Sequence, residues 1–248
     1  MQADDIPAQI IQVATSEGKH VQILYAKHPE EKALSVFIPG QHGKVAKHIE
    51  SGEVLQNWNA GKSICLTSFR GYMGNPGKPD HKGQAEDLAG ILAYLEQKTP
   101  TTQTELIAHS MGCDTLTNAL AVRSASGINP TYQKIVLRAP YTNIAAMTEH
   151  RINTRKSLRL FRPFKETVLK ILSPLMMDAF ANLKYLKAKS IKVCFSEADE
   201  KIPYTMSQAV LEELKRLNRF NSESDVTPVI HPARDGMGHD ATCMYHAM

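Results

Sequence analysis

The sequence lacks the long apolar segments and the cysteine patterns that mark membrane-spanning and disulfide-rich proteins. No apolar run reaches the ~18 residues that a transmembrane helix needs, and the first residues, MQADDIPAQ, lack the basic and apolar regions of a signal peptide. The four cysteines are far apart and form neither a CxxC motif nor a zinc-type cluster: Cys65, Cys113, Cys194 and Cys243. We therefore expect a protein of a reducing compartment, the cytoplasm.

The chain also has little excess of either positive or negative charge. The formal net charge is +4, weaker and less clustered than the footprint of most nucleic-acid-binding proteins, so we expect no nucleic-acid partner. Internal repeats, low-complexity tracts and Gly/Ser linkers are absent as well. The 248 residues, 42% of them hydrophobic, suffice for one large core. Residues 1–248 are predicted to form a single domain, with no signal for an oligomeric state.

Short apolar runs alternate with helical patterns along most of the chain. The runs AQIIQVAT and HVQILYAK flank the turn SEGK, which predicts an antiparallel hairpin. Helical spacing, as in residues 84–96, separates the later predicted strands, which are ALSVFIPG, KSICLTS, TELIAHS, KIVLRAP, SIKVCFS and VTPVIHP. This alternation predicts an α/β fold with a mostly parallel sheet, helices on both faces, and a ligand site outside the carboxyl ends of the strands.

The segment AHSMG follows one of these strands and opens a helical pattern. Ser110 stands there between the small residues Ala108 and Gly112, in a G-x-S-x-G pattern with alanine first. A sharp strand-to-helix turn needs small residues at both places and projects the serine above the sheet, where the helix N-terminus favours negative charge. The pattern predicts a nucleophile at Ser110. The alternative is an ordinary helix N-cap serine.

A serine nucleophile needs a base, usually a histidine that a carboxylate orients. His239 is the candidate base, because the Gly-rich segment DGMGHD follows the last predicted strand. The alternative is a surface-loop histidine. His109 is adjacent to Ser110, but neighbouring side chains on such a turn point apart, which favours a packing or pocket role for His109.

The orienting carboxylate should follow an earlier strand. Asp199 in VCFSEADEKIPY is the candidate, because it lies beyond the strand and just before the chain turns into a helix. Weaker candidates share its loop or lie beside the histidine: Glu197, Glu200, Asp235 and Asp240. The predicted order along the chain is then Ser110, Asp199 and His239.

An oxyanion also needs hydrogen-bond donors. The backbone N–H of Met111, just after the nucleophile, is one candidate donor. The other is the N–H of Gln41 in the loop IPGQHG, where Gly40 permits a tight turn. His42 in the same loop could line the site, and a solvated loop histidine fits the pattern equally well.

Taken together, these segments resemble the α/β-hydrolase superfamily, and the resemblance covers nearly the whole chain. FIPGQHG resembles the strand and oxyanion loop, SFRGYMGNPGKP the D-x-R-G-x-G segment, AHSMG the nucleophile elbow, SEADEKIPY the acid loop and GMGHD the histidine loop. Ser68 replaces the usual aspartate and Ser196 the usual glycine, and neither change removes a triad member. Within the superfamily the sequence resembles the serine-aminopeptidase-like and monoglyceride-lipase-like group, which holds esterases, lysophospholipases, thioesterases and some peptidases.

The resemblance implies a small helical cap or lid over residues 144–186. This segment carries eight Lys and Arg side chains against three carboxylates, a net charge of +5. One interpretation is a cap that receives an acyl chain and makes peripheral contact with an anionic head group or membrane surface. The alternative, an ordinary amphipathic helix with its apolar side on the core, explains the pattern better. Met176 and Met177 are candidate pocket residues, with core filling as the alternative.

The sequence thus predicts a serine hydrolase that cleaves a carboxylic ester, lipid-like or small, through an acyl-enzyme intermediate on Ser110. This chemistry requires no metal or organic cofactor. The same triad serves acyl-thioesterases and peptidases, so these alternatives stay open. A non-catalytic binding or membrane-surface protein on this fold is a further alternative, although an intact set of Ser, His and Asp argues against it.

Overall fold

The computed structural model describes residues 5–15, 18–40, 49, 52–154, 156–172, 179–221, 224–232 and 238–239. Eight strands in these ranges form one sheet: β1 (Gln9–Ala14), β2 (His20–Ala26), β3 (Ala33–Ile38), β4 (Lys62–Leu66), β5 (Thr104–His109), β6 (Tyr132–Arg138), β7 (Ala188–Ser196) and β8 (Asp225–His231). Their order across the sheet is β1-β2-β4-β3-β5-β6-β7-β8.

The first two strands form the predicted antiparallel hairpin, with Gln9 opposite Tyr25 and Ala14 opposite His20. Strand β2 also pairs antiparallel with β4, whereas every later pairing is parallel. The mostly parallel sheet is therefore confirmed. Parallel pairing places the carboxyl ends of β3, β5 and β6 side by side, and Ser110 follows β5 at this edge.

Six α-helices are described: α1 (Glu53–Asn59), α2 (His81–Glu96), α3 (Met111–Ala125), α4 (Ile144–Thr154), α5 (Lys165–Leu172) and α6 (Tyr204–Asn221). Short 3-10 helices span Thr101–Gln103, Lys156–Phe164 and Ala181–Tyr185. Helix α2 begins three residues before the apolar pattern, because the side chain of Asp80 accepts a hydrogen bond from the backbone N–H of Gly83 at 2.6 Å. Such an N-cap satisfies an amide that has no partner inside the helix.

Helices cover both faces of the sheet. Successive strand residues point to opposite faces, so Leu106 of β5 belongs to a core with α2, α3 and α6, whereas Ile107 lies against the other face. Val54 and Trp58 of α1 pack on that second face. Each fully buried side chain of this size contributes about 1.5–3 kcal/mol. The predicted helical cover on both faces is confirmed, and the core positions the strand ends that carry the site.

Helix α4 begins at Ile144, and the chain reaches β7 at Ala188, so the segment predicted as a cap lies between β6 and β7. Its described part contains α4, α5 and two of the 3-10 helices. Ile144 and Ile152 are buried, whereas Leu160 and Phe164 are exposed. The assignment of residues 144–186 as a cap stays a prediction. Among the described residues no helix combines the length and the apolarity that crossing a membrane would require.

Candidate active site

The turn between β5 and α3 holds Ser110 in an unusual backbone conformation. Its φ of 53° and ψ of −121° lie outside the regions that non-glycine residues ordinarily populate. The backbone N–H of Ser110 donates to the carbonyl of Arg138 on β6 at 2.8 Å, which fixes the turn against the neighbouring strand. Strain of this kind persists only where surrounding structure imposes it, and it is concentrated at functional sites.

The position two residues after Ser110 requires glycine for a steric reason. A Cβ atom on Gly112 would lie 2.4 Å from the carbonyl oxygen of Ile38 and 2.7 Å from that of Pro39. Gly40 approaches the turn from the other side, and a Cβ there would lie 3.1 Å from the Cβ of Ser110. The end of β3 and the elbow therefore pack so closely that the backbone of the loop after β3 borders the serine.

The structure brings together Ser110, His239 and Asp199. The Oγ of Ser110 lies 3.1 Å from Nε2 of His239, and Nδ1 of the same ring lies 2.8 Å from Oδ2 of Asp199. The imidazole and the carboxylate are 6% and 2% exposed, so the chain of contacts is shielded from water. These three side chains come from sequence positions 110, 199 and 239 and meet at the carboxyl edge of the sheet.

Backbone groups hold the carboxylate of Asp199 in place. Its Oδ1 accepts hydrogen bonds from the N–H groups of Lys201 and Ile202, both at 2.8 Å. Oδ2 is thereby directed to the imidazole of His239. Hydrogen bonds to an ionised acceptor are about twice as strong as neutral ones. The loop after β7 thus supplies a carboxylate whose orientation is fixed before any substrate binds.

Glu200, a weaker candidate for the acid, has a different place. Its Oε2 accepts from the backbone N–H of His239 at 3.1 Å. A Cβ on Gly238 would lie 2.7 Å from this oxygen, so glycine permits the close approach. Glu200 therefore anchors the histidine's main chain. The other two candidates beside the histidine, Asp235 and Asp240, lie outside the described residues.

His109 is buried and its ring lies against that of His239, with centroids 4.9 Å apart and planes tilted by 42°. This packing contact confines the imidazole of the candidate base. Met111 is the first residue of α3, so its N–H belongs to the helix turn whose amides have no partner inside the helix. The other predicted site residues, Gln41, His42, Met176 and Met177, lie outside the described residues.

A cavity of about 200 Å³ opens beside the serine. The described residues that line it are His81, Ser110, Met111, Tyr141, Ile144, Met147, Thr148 and Arg151. Four of them belong to α4, so the segment predicted as a cap forms one wall. Sequence reasoning missed His81, Tyr141 and Arg151. The sequence offers only weak signals for them. His81 stands just before a helical pattern, Tyr141 follows a strand, and Arg151 lies inside a basic segment.

Sequence reasoning also missed two buried ion pairs that hold together the elements around the site. Arg138, whose carbonyl holds the Ser110 turn, pairs with Glu53 at 2.6 Å through Nη1, and its side chain is 1% exposed. Arg70 binds both carboxylate oxygens of Asp87 on α2, with Nη2 at 2.7 Å from Oδ1. Arg70 thereby ties the loop after β4 to α2.

No group of three or more His, Cys, Asp and Glu side chains in the described part of the chain is arranged to hold a metal ion. Beside Ser110 the structure places a hydroxyl, an imidazole and a carboxylate in series, next to the N-terminus of a helix.

A match to the family described as "Alpha/beta hydrolase of unknown function (DUF900)" spans residues 47–226, which is more than half of the chain. The chain belongs to this family. The match confirms the α/β-hydrolase resemblance and the fold class that the sequence motifs predicted. The serine-aminopeptidase-like or monoglyceride-lipase-like group within the superfamily stays a prediction.

Solved structures of other α/β hydrolases share the fold. The esterase Pf2001 of Pyrococcus furiosus aligns with a TM-score of 0.69 and 15% identity, over 99% of this chain and 88% of the esterase. Est1E from Butyrivibrio proteoclasticus, solved with ferulic acid bound, aligns with a TM-score of 0.65 and 18% identity, over 95% of this chain and 92% of Est1E.

Sequence relatives match a shorter region. Uncharacterized proteins from two strains of Mycobacterium tuberculosis are 32% identical to this α/β hydrolase over 87 residues. The match covers 34% of this chain and 28% of each relative. So short a match carries no statement about substrate.

Proposed function

We propose that this α/β hydrolase is a serine hydrolase that cleaves carboxylic esters through an acyl-enzyme intermediate on Ser110. One observation carries the proposal, namely the continuous series from Ser110 Oγ through His239 to Asp199, with distances of 3.1 Å and 2.8 Å. Ester hydrolysis needs a nucleophile, a proton shuttle and a group that orients the shuttle, and this series offers one of each.

In the first half-reaction, Ser110 Oγ attacks the ester carbonyl carbon while Nε2 of His239 takes the hydroxyl proton. The C–O bond to the alcohol then breaks, and His239 returns that proton to the departing oxygen. Asp199 accepts the Nδ1–H of His239, which keeps Nε2 available as a base and stabilises the imidazolium. Water repeats the sequence on the acyl-enzyme and releases the carboxylic acid.

The negative charge on the carbonyl oxygen develops next to the N-terminus of α3. We assign the N–H of Met111 as one oxyanion donor, since it directly follows the nucleophile and opens the helix. The N–H of Gln41 is the second proposed donor, and Gly40 supports it because the backbone there approaches within reach of Ser110. Helix α4 acts as part of a cap in this proposal, because it forms a wall of the cavity at Ser110.

Thioesters and amides react through the same steps, and the arrangement of the triad does not separate them. A single pair of variants tests the core of the proposal. Ser110→Ala removes the nucleophile, whereas Ser126→Ala removes an exposed hydroxyl at the opposite end of α3. We expect Ser110→Ala to lower kcat on p-nitrophenyl butyrate by at least about 10⁴-fold and Ser126→Ala to leave it unchanged.

Labelling with a fluorophosphonate probe gives a readout that needs no knowledge of the substrate. The unaltered protein should acquire one adduct on Ser110, located by peptide mass spectrometry, and Ser110→Ala should acquire none. Equal labelling of both proteins, or undiminished ester hydrolysis by a folded Ser110→Ala variant, would overturn the assignment. A folded protein without any adduct would favour a binding role for the fold.

A further inference from the structure

A second cavity, of about 280 Å³, lies where α1 meets the sheet, and it takes no part in the proposed ester hydrolysis. Four neighbouring strands, β4 to β7, contribute charged side chains to its lining: Lys62, Glu105, Lys134 and Lys192. The faces of a parallel sheet are normally apolar, so charged groups on such a face need partners. Which of these groups have partners decides what the cavity binds.

The carboxylates that line this cavity are engaged by cations of the protein. Oε2 of Glu105 accepts from Nζ of Lys62 at 2.9 Å. Glu53 pairs with Arg138, whose Nη1 lies 2.6 Å from Oε2 of the glutamate. The described lining contains no other carboxylate. These two pairs balance in charge, and the two lysines on β6 and β7 are in excess.

Lys134 on β6 and Lys192 on β7 stand close to each other. Lys192 is opposite Val136, so Lys134 lies two residues away on the neighbouring strand and on the same face. The spacing of strands and residues puts the two Cα atoms about 8 Å apart. Neither lysine forms a salt bridge with any residue that the structure describes. Because lysine has a long flexible stem, both ammonium groups can reach one bound group between them.

The surroundings of these two lysines disfavour their charges. Both side chains are half-buried. Burial lowers the pKa of Lys134, the charge of Glu105 opposes this, and the charges of Lys192 and Lys62 lower the pKa further. Two partly desolvated ammonium groups on one cavity wall repel each other. An anion bound between them would offset both the desolvation and the repulsion.

We propose that this cavity binds a phosphate group, free or on a small phosphorylated molecule, through the ammonium groups of Lys134 and Lys192. A phosphate monoester carries about two negative charges at neutral pH on one compact group, and lysine binds phosphate as a point charge. A carboxylate carries one charge, and a dicarboxylate divides its two charges between separate groups. The volume lies just below the range of about 300–1,000 Å³ for drug-sized ligands, so a phosphorylated ligand must be small.

Calorimetric titration at low ionic strength tests the proposal with four probes: glycerol 3-phosphate, inorganic phosphate, glycerol and succinate. We expect at least one of the two phosphates to bind with one-to-one stoichiometry and glycerol to give no binding. Succinate should bind at least about tenfold more weakly than that phosphate, because its charges lie on separate groups. Tighter binding of glycerol 3-phosphate than of inorganic phosphate would identify a phosphorylated molecule as the ligand, and the reverse order would identify free phosphate. Succinate binding as tight as that of either phosphate would overturn the assignment.

Substitutions that remove one charge each locate the site. Lys134→Met and Lys192→Met keep most of the apolar stem, and each should weaken phosphate binding by about 10–100-fold, as for hydrogen bonds to charged groups. Lys82→Met removes the same charge from α2, where the side chain is 79% exposed. This control should change the Kd by less than about twofold, because salt and water screen a distant exposed charge. Equal weakening by all three variants would show that net charge alone attracts the anion, and the proposal would fail.

Thermal unfolding separates loss of binding from loss of structure. Without phosphate, both cavity variants should keep the Tm of the unaltered protein or exceed it, since each removes a half-buried charge that has no described ion-pair partner. Added phosphate should raise the Tm of the unaltered protein and leave that of the variants unchanged. If one variant is less stable, the other, from a different strand, still decides.

The proposed function and this proposal fail separately. If a fluorophosphonate labels Ser110 but neither phosphate binds, the cavity is not a phosphate site, and the ester hydrolase proposal stands. If phosphate binds and depends on Lys134 and Lys192 while Ser110 is not labelled, the phosphate site stands and the proposed hydrolysis fails.

Discussion

Two cavities in this molecule differ in size, charge and chemistry. The larger, about 280 Å³, lies against α1 and is lined by Glu53, Gln56, Asn57, Ala60, Lys62, Glu105, Ile107, Lys134, Val136, Arg138 and Lys192. The smaller, about 200 Å³, opens beside Ser110. If volume or charge marked an active site, the larger cavity would be the candidate.

The pairing of polar groups separates the two cavities. In the larger one, Glu53 pairs with Arg138 and Glu105 pairs with Lys62 at 2.9 Å, so both carboxylates already have cationic partners inside the protein. Its described lining contains no serine, cysteine or histidine. The smaller cavity contains a serine in contact with a histidine and the buried hydroxyl of Tyr141, which has no hydrogen-bond partner among the described residues. The serine–histidine contact, rather than volume or charge, is therefore what makes the smaller cavity the candidate site.

The largest expected effect distinguishes Asp199, the carboxylate that contacts His239, from a carboxylate that lines the larger cavity. Asp199→Asn should lower kcat on p-nitrophenyl butyrate by about 10⁴-fold, because an amide in place of Oδ2 no longer selects the tautomer of His239 that can act as a base. The rate is measured at saturating ester. Glu105→Gln in the larger cavity should leave the rate within about twofold. A rate for Asp199→Asn above one tenth of the original would contradict the assigned role.

The free energy of unfolding should depend most on the buried ion pair that lines the larger cavity. Glu53→Gln leaves the buried guanidinium of Arg138 without its counter-charge, and we expect the free energy of unfolding to fall by about 3–5 kcal/mol. Urea denaturation followed by circular dichroism measures it. The control Glu105→Gln breaks a more exposed pair, whose members are 22% and 14% exposed, and should cost no more than about 1 kcal/mol. Equal costs for the two variants would show that burial does not set the value of these pairs.

The parts of the fold that sequence could predict depend on local patterns. Alternation of apolar runs and helical spacing indicates the parallel sheet, and the small residues around Ser110 indicate a tight turn after β5. Asp199 and His239 could be predicted as candidates because each follows a strand, and the carboxyl ends of parallel strands meet at one edge of the sheet. The catalytic roles of these residues remain predictions that the variants above test.

The rest of the site depends on contacts that no local pattern encodes. Glu53 and Arg138 are 85 positions apart in the sequence, and neither occupies a motif. Tyr141 follows β6 and belongs to none of the motifs that the sequence offers. Arg151 contributes to the net charge of a basic segment, and nothing in that charge distinguishes a solvated arginine from one that lines a cavity.

The smallest expected effect concerns Lys134 in the larger cavity. Burial lowers the pKa of Lys134, and Glu105 opposes this. Between the lowered pKa of the folded state and the usual pKa of the unfolded state, the unfolded chain binds more protons, so this lysine makes stability rise as pH increases through that interval. Lys134→Met removes the contribution. The unfolding free energy of the unaltered protein, relative to that of Lys134→Met, should therefore increase from pH 7 to pH 10 in urea titrations. A difference that stays constant or falls with pH would mean that the charges of the larger cavity are fully solvated, and the contrast between the two cavities would then rest on the Ser110 site alone.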